Sequence, residues 1–304
     1  MAPYQNVVID NYGVSAYIWD HPNRRSHHAI DVAGTTVLIT GASAGLGVEF
    51  AHRFAARGAN LVLVARRADR LEALATELRG AHGIIVTVLP ADLAAPGVGA
   101  SLHQELTNRG ITVDSLINNA GFGTHGAFVD EDLERVTSEI QLNIATLVEL
   151  THTFLPDLLT GRGALVNIAS TASFQPTPGM AVYGASKAFV LNFTEALWAE
   201  ARGSGLTVLA VCPPGPTRTE FFDVVGSEDA AVGRMQTATQ VVDTAFRALD
   251  RRYAPPTVVS GLPNWVSSIS TRFATRRLGA LISGRLLGDV RMKAETKRSS
   301  TSAA

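Results

Sequence analysis

Seven short β-branched runs, separated by longer amphipathic stretches, constrain the fold of this chain most strongly. They lie at residues 35–40, 60–65, 84–89, 114–119, 164–170, 206–212 and 256–261. Each run is apolar on both faces, as strands between two layers of helices are. Because strands and helices alternate so often, the pattern predicts an α/β fold, in which right-handed crossovers join a seven-stranded parallel sheet with helices on both faces.

The sequence predicts one main domain, at residues 34–261, with additions at both ends. Residues 1–33 are interpreted as an N-terminal arm, 262–292 as a C-terminal helical extension and 293–304 as a disordered polar tail. The extension combines apolar residues at roughly helical spacing with arginines at 272, 276, 277, 285 and 291. A helix packed on the body is the preferred interpretation, and a membrane-surface or oligomer helix is the alternative.

Charge and cysteine content argue against several classes of protein. A net charge of -1 gives no support to nucleic-acid binding. No stretch approaches the ~20 apolar residues that a membrane helix needs, and the N-terminus lacks the order of a signal peptide. Cys212 is the only cysteine, which excludes an intrachain disulfide and suits a reducing compartment. We expect a cytoplasmic protein with no membrane span and no metal, in which His21, His27 and His28 belong to a solvated arm.

A glycine-rich segment, TGASAGLG at residues 40–47, follows the first run directly. Glycines at 41, 45 and 47 allow backbone amides to approach a phosphate closely, and the next helix presents unpaired N–H groups and the positive end of its dipole. The spacing is G-x-x-x-G-x-G, which differs from the G-x-G-x-x-G fingerprint and from a Walker loop. By itself the segment indicates either a phosphate-binding loop or a tight turn.

The end of the second run indicates which dinucleotide such a loop would hold. Enzymes that use NAD place an acidic residue there to bind the ribose 2′-hydroxyl. Here Ala65 occupies that place, and Arg66 and Arg67 follow. A guanidinium pairs well with a 2′-phosphate. The sequence therefore favours NADP(H) over NAD, with two solvated arginines as the alternative interpretation.

Tyr183 and Lys187 lie four residues apart in VYGASKAFV, and Lys187 is the only lysine before residue 293. On a helix, residues at this spacing share one face. An ammonium near a phenol stabilises the phenolate, so we expect Lys187 to lower the pKa of Tyr183 from its ordinary value of ~10. The tyrosine would then serve as an acid for a carbonyl oxygen or as a base for an alcohol.

Together these motifs resemble the short-chain dehydrogenase/reductase family in its compact form. The match covers about residues 34–260 and includes the glycine loop, ADL at 91–93, NNAG at 118–121, the Tyr-x-x-x-Lys pair and PPGPTRTE at 213–220. Ser170 lies thirteen residues and Asn143 forty residues before Tyr183, the spacings of the family's catalytic serine and asparagine. The resemblance implies a Rossmann-type, doubly wound fold.

The resemblance also implies a catalytic group of four residues. Tyr183 would exchange a proton with the substrate oxygen, and Lys187 would lower the tyrosine pKa and hold the nicotinamide ribose. Ser170 would hydrogen-bond the substrate carbonyl, and Asn143 would hold a water that relays protons from Lys187. The implied reaction interconverts a carbonyl and an alcohol, acting on a CH–OH group, with NADP(H) carrying the hydride.

The residues expected to contact the cofactor share positions in the family's nucleotide-binding motifs. They are Gly41, Ser43, Ala44, Gly45, Leu46, Gly47, Arg66, Arg67, Asp92, Leu93, Asn119, Ala120, Gly121, Tyr183, Lys187, Pro214, Gly215, Thr217 and Thr219. Asp92 would hold the adenine amino group. Arg66 supports NADP(H), although many NADP-preferring members also carry a basic residue where this chain has Ala44.

The expected substrate is an apolar carbonyl compound of steroid, acyl or aryl ketone type. A mostly apolar pocket is predicted from Phe122, Phe174, Met180, Phe221 and Phe222, and residues 219–236 are interpreted as a mobile lid. His125 is interpreted as a solvent-exposed loop residue, with a substrate contact as the alternative.

The resemblance implies a homodimer or homotetramer. The competing interpretation is a non-catalytic NADP-binding sensor or scaffold with the same fold. Such a protein would be expected to lack one of the four catalytic residues, and this chain has all of them.

Overall fold

The computed structural model describes residues 7–9, 15–17, 30–215, 217–218, 220, 236–271, 273 and 275–286. The strands in chain order are β1 (Val7–Ile9), β2 (Ser15–Tyr17), β3 (Thr36–Thr40), β4 (Asn60–Ala65), β5 (Val86–Pro90), β6 (Ser115–Asn118), β7 (Ala164–Ile168), β8 (Thr207–Cys212), β9 (Thr217–Arg218), β10 (Gln236–Thr237) and β11 (Thr257–Val259).

The α-helices in the described residues are α1 (Gly45–Ala55), α2 (Ala68–His82), α3 (Val98–Asn108), α4 (Leu133–Ile140), α5 (Leu147–Thr160), α6 (Ala181–Glu200), α7 (Ala238–Leu249), α8 (Leu262–Ser270) and α9 (Arg276–Leu286). A π-helical segment, Gln141–Thr146, joins α4 to α5 without a break. Short 3₁₀ turns lie at Phe128–Asp130 and Thr171–Phe174.

The predicted α/β fold with its seven-stranded parallel sheet is confirmed. The strand order is β5-β4-β3-β6-β7-β8-β11, and all neighbouring pairs are parallel. Each of the seven runs read from the sequence supplies one of these strands. Every residue of β6 and β7 is buried, as the two-sided apolar pattern predicted.

The chain reverses its direction of winding between β3 and β6, which are adjacent strands. From β3 the chain moves outward to β4 and β5, and then returns to β6 and continues the other way. In open sheets of this kind, ligands bind in the crevice at the carboxyl ends of the strands at such a switch point. The glycine loop follows β3, and the NNAG motif begins at the end of β6, so both lie at this crevice.

The core has one large apolar cluster on each face of the sheet. On one face, α1, α2 and α7 pack against the strands, with the Phe54 and Phe246 rings 4.9 Å apart. On the other face, α3, α5 and α6 supply residues such as Leu106, Phe154 and Leu158. Burial on this scale is the main driving force for the fold. It fixes the strand ends that carry the site.

The ends of several helices have clear local causes. Asp132 caps α4 by accepting a hydrogen bond from the Arg135 amide, and Thr237 and Gln240 form a capping box at the start of α7. Helix α2 ends at Gly83, whose φ of 65° is readily available only to glycine.

Outside the sheet, β1 and β2 pair antiparallel with each other. Helices α8 and α9 lie within the segment interpreted as a C-terminal extension. Several residues singled out from the sequence lie outside the described residues. They are the three N-terminal histidines, the predicted cofactor residue Thr219, the predicted pocket residues Phe221 and Phe222, and the tail 293–304.

Candidate active site

The glycine loop fits tightly against the segment that follows β6. A Cβ atom at Gly41 would lie 2.8 Å from Asn119 Nδ2 and 3.0 Å from Ala120 Cα, and Gly41 has a φ of 65°. A Cβ at Gly47 would collide with the Gly41 carbonyl oxygen. Both positions therefore require glycine for steric reasons, which the sequence pattern indicated without showing what lies opposite.

The N-terminus of α1 is open to an anion. It follows Ala44, which provides no side-chain cap, and the first turn at Gly45, Leu46 and Gly47 contains no acidic residue. The free N–H groups and the positive end of the dipole therefore lie at the switch-point crevice. Such a terminus suits a phosphate group.

Thr40, at the end of β3, holds the NNAG segment in place. Its Oγ1 accepts hydrogen bonds from the amides of Asn119 (2.9 Å) and Ala120 (3.0 Å), and Asn119 Nδ2 donates to the Thr40 carbonyl at 2.9 Å. Deeper in the sheet, Asn118 donates to Asn167 Oδ1 at 3.0 Å. The two asparagines thus fix the floor of the crevice between β3 and β7.

The two arginines after β4 have different surroundings. Arg67 donates to Ser43 Oγ (3.1 Å) in the glycine loop and to Glu220 Oε2 (2.8 Å). Arg66 is exposed and makes no hydrogen bond or ion pair with the described residues. Arg70 also contacts Glu220, and the two guanidinium groups lower the pKa of that carboxyl. Positive charge therefore gathers beside Ser43, partly compensated by Glu220.

Asp92 and Leu93 follow β5 at the same edge of the sheet. Asp92 is exposed, and its Oδ1 accepts a hydrogen bond from the Ala94 amide at 3.1 Å. Leu93 is buried, and its carbonyl accepts a 2.6 Å bond from Thr146 Oγ1. The segment is therefore anchored to the π-helical segment on the opposite side of the switch point.

Tyr183 and Lys187 lie on the first turns of α6, as predicted. Tyr183 hydrogen-bonds with Ser170, which follows β7 and is buried. Ser170 Oγ also accepts a bond from the Ala172 amide at 3.1 Å, which fixes its orientation. The serine and tyrosine predicted from a thirteen-residue spacing are therefore in direct contact.

The pKa of Tyr183 is shifted opposite to the direction predicted from the sequence. Burial raises the Tyr183 pKa to about 12, the bond with Ser170 opposes this rise, and the negative charge of Glu139 adds to it. Lys187 Nζ lies 5.8 Å from the centre of the tyrosine ring and donates to the Ile168 carbonyl at 2.8 Å. Among the protein's own groups, desolvation therefore sets the direction of the Tyr183 pKa shift.

Lys187 itself is buried among protein groups at the end of β7. Burial lowers its pKa to about 8, and the nearby Glu139 carboxyl opposes that shift. The backbone of this turn is held by Ser173, whose Oγ donates to the Lys187 carbonyl at 2.8 Å. A lysine with such a pKa changes charge within the range in which many enzymes work.

Asn143 lies on the π-helical segment. Single π-helical turns within α-helices often occur at functional sites. Its side chain makes two hydrogen bonds with the backbone of Phe122: Nδ2 donates to the carbonyl at 2.8 Å, and Oδ1 accepts from the amide at 3.1 Å. Asn143 Nδ2 also donates to Ser186 Oγ at 3.1 Å. A Cβ built on Gly121 would lie 2.8 Å from Asn143 Oδ1 and 3.4 Å from Lys187 Nζ. Gly121 therefore separates these two predicted catalytic residues.

The Pro-Gly segment after β8 lies at the neighbouring strand end. Pro214 and Thr217 are buried, and Thr217 Oγ1 donates to the Pro214 carbonyl at 3.1 Å. The Thr217 amide bonds to the Gly215 carbonyl at 3.0 Å, which makes a compact turn. These three predicted cofactor residues share the carboxyl edge of the sheet with the rest of the site.

The walls of the predicted pocket are described in part. The Gly126 amide bonds to the Gly179 carbonyl at 2.9 Å, which ties the loop after β6 to the segment before α6. Phe122 and Phe174 are half-buried and Met180 is buried. The preferred interpretation of His125 is wrong, because this side chain is half-buried and its Nε2 atom is buried with no hydrogen-bond partner among the described residues.

Sequence reasoning missed Glu139, whose carboxyl is buried close to the site. Desolvation raises its pKa from 4.5 to about 7. The sequence offered little signal, since LERVTSEI reads as an ordinary polar surface helix. Only the buried position of this one side chain distinguishes it.

The residues at the switch point fit a nicotinamide dinucleotide. The uncapped start of α1 and the closely packed glycines suit a pyrophosphate, and the positive charge beside Ser43 lies where the second strand ends. Tyr183, Ser170 and Lys187 gather at the other side of the crevice, near the ends of β7 and β8. The phosphate-binding loop therefore lies between the positive charge at Ser43 and the polar side chains at the end of β7. This arrangement suits an extended dinucleotide whose pyrophosphate lies at its centre.

Comparisons with known proteins agree with this geometry. A family model described as short chain dehydrogenase matches residues 35–230. The sulfoacetaldehyde reductase of Chromohalobacter salexigens is 40% identical over 221 residues, covering 70% of this chain and 83% of that protein. A short-chain dehydrogenase from Sphingobium yanoikuyae, solved in complex with NADPH, is 39% identical with a TM-score of 0.70, covering 79% of this chain and 93% of that one. Another, from Burkholderia phymatum and solved with NAD, is 25% identical with a TM-score of 0.68, covering 79% and 93%.

Fold and site therefore define a Rossmann-type oxidoreductase of the kind that binds a nicotinamide dinucleotide. The chain belongs to the short-chain dehydrogenase/reductase family. No helix within the described part of the chain combines the length and apolar character needed to cross a membrane.

Proposed function

We propose that this protein is an NADP(H)-dependent reductase or dehydrogenase that interconverts a carbonyl and an alcohol. The hydrogen-bonded Ser170–Tyr183 pair, with Lys187 on the same helix, carries the proposal. It places a proton donor and a hydrogen-bond donor side by side at the end of β7, where a substrate oxygen can meet both. Bound at the crevice, the nicotinamide dinucleotide supplies or accepts the hydride.

The four polar residues have distinct roles in this proposal. Tyr183 gives a proton to the oxygen during reduction or takes one during oxidation, while Ser170 orients that oxygen and stabilises its developing negative charge. Lys187 holds the nicotinamide ribose and restores the proton on Tyr183. Asn143 fixes Phe122 and lies with Lys187 beside Gly121, and in this proposal it holds a water that relays protons from Lys187.

The raised Tyr183 pKa suits the reductive direction. A phenol whose pKa is about 12 keeps its proton at neutral pH and is available as an acid. For oxidation the phenolate must form, which a positive charge closer than the present 5.8 Å between Lys187 Nζ and the ring centre would favour.

We propose NADP(H) as the preferred cofactor because positive charge surrounds the expected ribose site. Arg66 is exposed and has no partner among the described residues, and Arg67 is fixed over Ser43. Glu220 opposes this preference because it holds Arg67 and Arg70. Related structures contain NADPH or NAD, so the choice depends on this cluster.

Steady-state kinetics with NADPH and NADH test the cofactor preference. We expect Arg66→Ala to raise KM for NADPH about tenfold or more, since one charge-assisted pair with phosphate is worth about 1.5–3 kcal/mol, and to leave KM for NADH almost unchanged. Glu220→Gln should lower KM for NADPH by releasing Arg67. Equal losses with both cofactors in Arg66→Ala would contradict the assignment.

The substrate is proposed to be an apolar carbonyl compound. The segment that leaves the site after β6 carries exposed apolar side chains at Phe128 and Val129, and Leu133 at the start of α4 is exposed as well. Phe174 and Met180 lie on the segment that precedes α6. Relatives differ in what their names state that they reduce or oxidise, from sulfoacetaldehyde to 7β-hydroxysteroids. A screen of ketones and aldehydes of graded size and polarity with NADPH tests both the reaction and the class.

The second candidate is a non-catalytic NADP-binding sensor. The contact between Ser170 and Tyr183 favours an enzyme, because binding alone needs no such pair. Tight NADPH binding without turnover of any carbonyl in the screen would favour the sensor instead.

We further propose that the protein forms a homodimer or homotetramer. Phe189 and Phe193 stack on α6 with ring centres 5.7 Å apart, and Phe189 remains partly exposed. Light scattering of the wild type and Phe189→Glu tests whether this face lies between subunits. An unchanged oligomer mass in the variant would contradict the assignment.

A further inference from the structure

Glu139 is a buried carboxyl group within the electrostatic range of the catalytic lysine and tyrosine. It lies in the last turn of α4, directly before the π-helical segment that carries Asn143, and its exposed fraction is 0%. Neither carboxyl oxygen makes a hydrogen bond of ordinary geometry with the described residues. Acidic residues are almost never fully buried unless they are paired, so this position requires an explanation.

The groups around Glu139 belong to the segment between β6 and α4, to α4 itself and to α6. Thr124, in the loop after β6, approaches it with its hydroxyl and its amide, and Lys187 on α6 provides a compensating positive charge. Glu131 adds negative charge, and the Tyr183 phenol interacts with Glu139 across the site. His125 is the neighbour of Thr124 in the loop, and Arg135 lies one turn earlier on α4 with its guanidinium 5.7 Å from the Phe122 ring centre.

We propose that Glu139 is a positioning residue of the catalytic group, which controls the charge of Lys187 and, through it, the proton exchange at Tyr183. This proposal rests on the proposed function but concerns a residue outside the four predicted ones. An ionised Glu139 favours the ammonium form of Lys187 and disfavours the phenolate of Tyr183. A protonated Glu139 removes both effects.

The pKa values of Glu139 and Lys187 indicate that the two groups titrate together. Desolvation raises the pKa of Glu139 to about 7 and lowers the pKa of Lys187 to about 8, so the two values approach each other. Interacting groups of this kind titrate as a pair. In the range around neutral pH, a proton can therefore reside on either side chain, next to the tyrosine that must be reprotonated after each reduction.

The small number of lysines makes a direct test possible. The chain contains Lys187, Lys293 and Lys297 only. Protein labelled with ¹³C at lysine Cε gives three signals, and the Lys293→Arg and Lys297→Arg variants identify the signal of Lys187 by elimination. Its titration between pH 6 and 11 measures the pKa of Lys187 without any substrate.

We expect Glu139→Gln to lower the Lys187 titration midpoint by about one pH unit, because an adjacent opposite charge is removed. Glu139→Asp should restore part of the difference. Glu131→Gln is the matched control, since it removes a carboxyl from the same region that does not interact with Lys187 directly, and should change the midpoint by less. A Lys187 midpoint that is the same in Glu139→Gln and the wild type would overturn the proposal.

The pH profile of turnover gives a second, independent measurement. Since removal of the Glu139 charge lowers the pKa of both Lys187 and Tyr183, the alkaline limb for reduction should move to lower pH in Glu139→Gln. A lower rate with an unshifted profile would indicate a purely structural role and contradict the proposal. If no carbonyl is turned over at all, the proposed function fails, whereas the lysine titration still decides the role of Glu139.

Discussion

At the scale of single residues, desolvation of Tyr183, Lys187 and Glu139 shifts the pKa of each group away from its ordinary value. Ser170 and Tyr183 are in contact as expected, and Lys187 lies on the same helix face as the tyrosine. The expected fall in the Tyr183 pKa was wrong, because it counted the ammonium and omitted desolvation. Burial of Glu139 depends on the packing of α4 against the loop after β6, which no local pattern reveals.

Burial of Glu139 makes the stability of the protein depend on pH. Its pKa rises from 4.5 to about 7 on folding, so the stability that it contributes is present at low pH and is lost as pH rises through about 7. Glu139→Gln removes this loss. We expect the variant to gain stability relative to the wild type between pH 5 and pH 8, by at most about 3 kcal/mol. Urea unfolding at the two pH values measures the difference, and a constant difference would contradict the assigned burial.

At the scale of elements, alternation of strands and helices predicted the sheet almost completely. All seven runs became strands, since β-branched residues buried on both faces have few other stable arrangements. The π-helical geometry at Gln141–Thr146 could not be predicted from the sequence, because six residues are too few to distinguish the period of a π-helix from that of an α-helix. Glycine positions were predicted for phosphate binding, while the structure adds close packing against Asn119 and Ala120.

The junction between the glycine loop and α1 is sensitive to a single methyl group. We expect Gly47→Ala to destabilise the fold by about 1–3 kcal/mol, because the added Cβ meets the Gly41 carbonyl and the Asn119 amide. Gly80→Ala is the matched control on α2, where a Cβ meets nothing within 4 Å, and should stabilise by up to about 1 kcal/mol. Thermal unfolding of both variants tests the prediction, and it is contradicted by a Gly47→Ala protein as stable as the wild type.

At the scale of the whole molecule, the sequence predicted one nucleotide-binding domain with an arm before it. The described core begins at Ile30 and Val32, which pack against the cluster that contains Phe50 and Phe54. Strands β1 and β2 pair only with each other within the described sheets. We therefore propose that the folded body starts at about residue 30, slightly before the predicted boundary at residue 34.

Two truncations test this boundary. Removal of residues 1–29 should leave the unfolding temperature within a few degrees of the wild type, because Ile30 and Val32 remain. Removal of residues 1–33 should lower the unfolding temperature further, because the core then loses the side chains of Ile30 and Val32. Full burial of one such side chain stabilises the fold by about 1.5–3 kcal/mol. Identical unfolding temperatures for the two truncations would contradict the boundary drawn here.

The most direct test of the proposed chemistry is to remove the Tyr183 hydroxyl and measure turnover and cofactor binding in the same preparation. We expect Tyr183→Phe to reduce kcat for carbonyl reduction with NADPH by about 10²–10⁴-fold, the usual contribution of a positioned acid. The Kd for NADPH, measured by fluorescence, should change little. Undiminished reduction by Tyr183→Phe, with NADPH still bound, would show that another group supplies the proton.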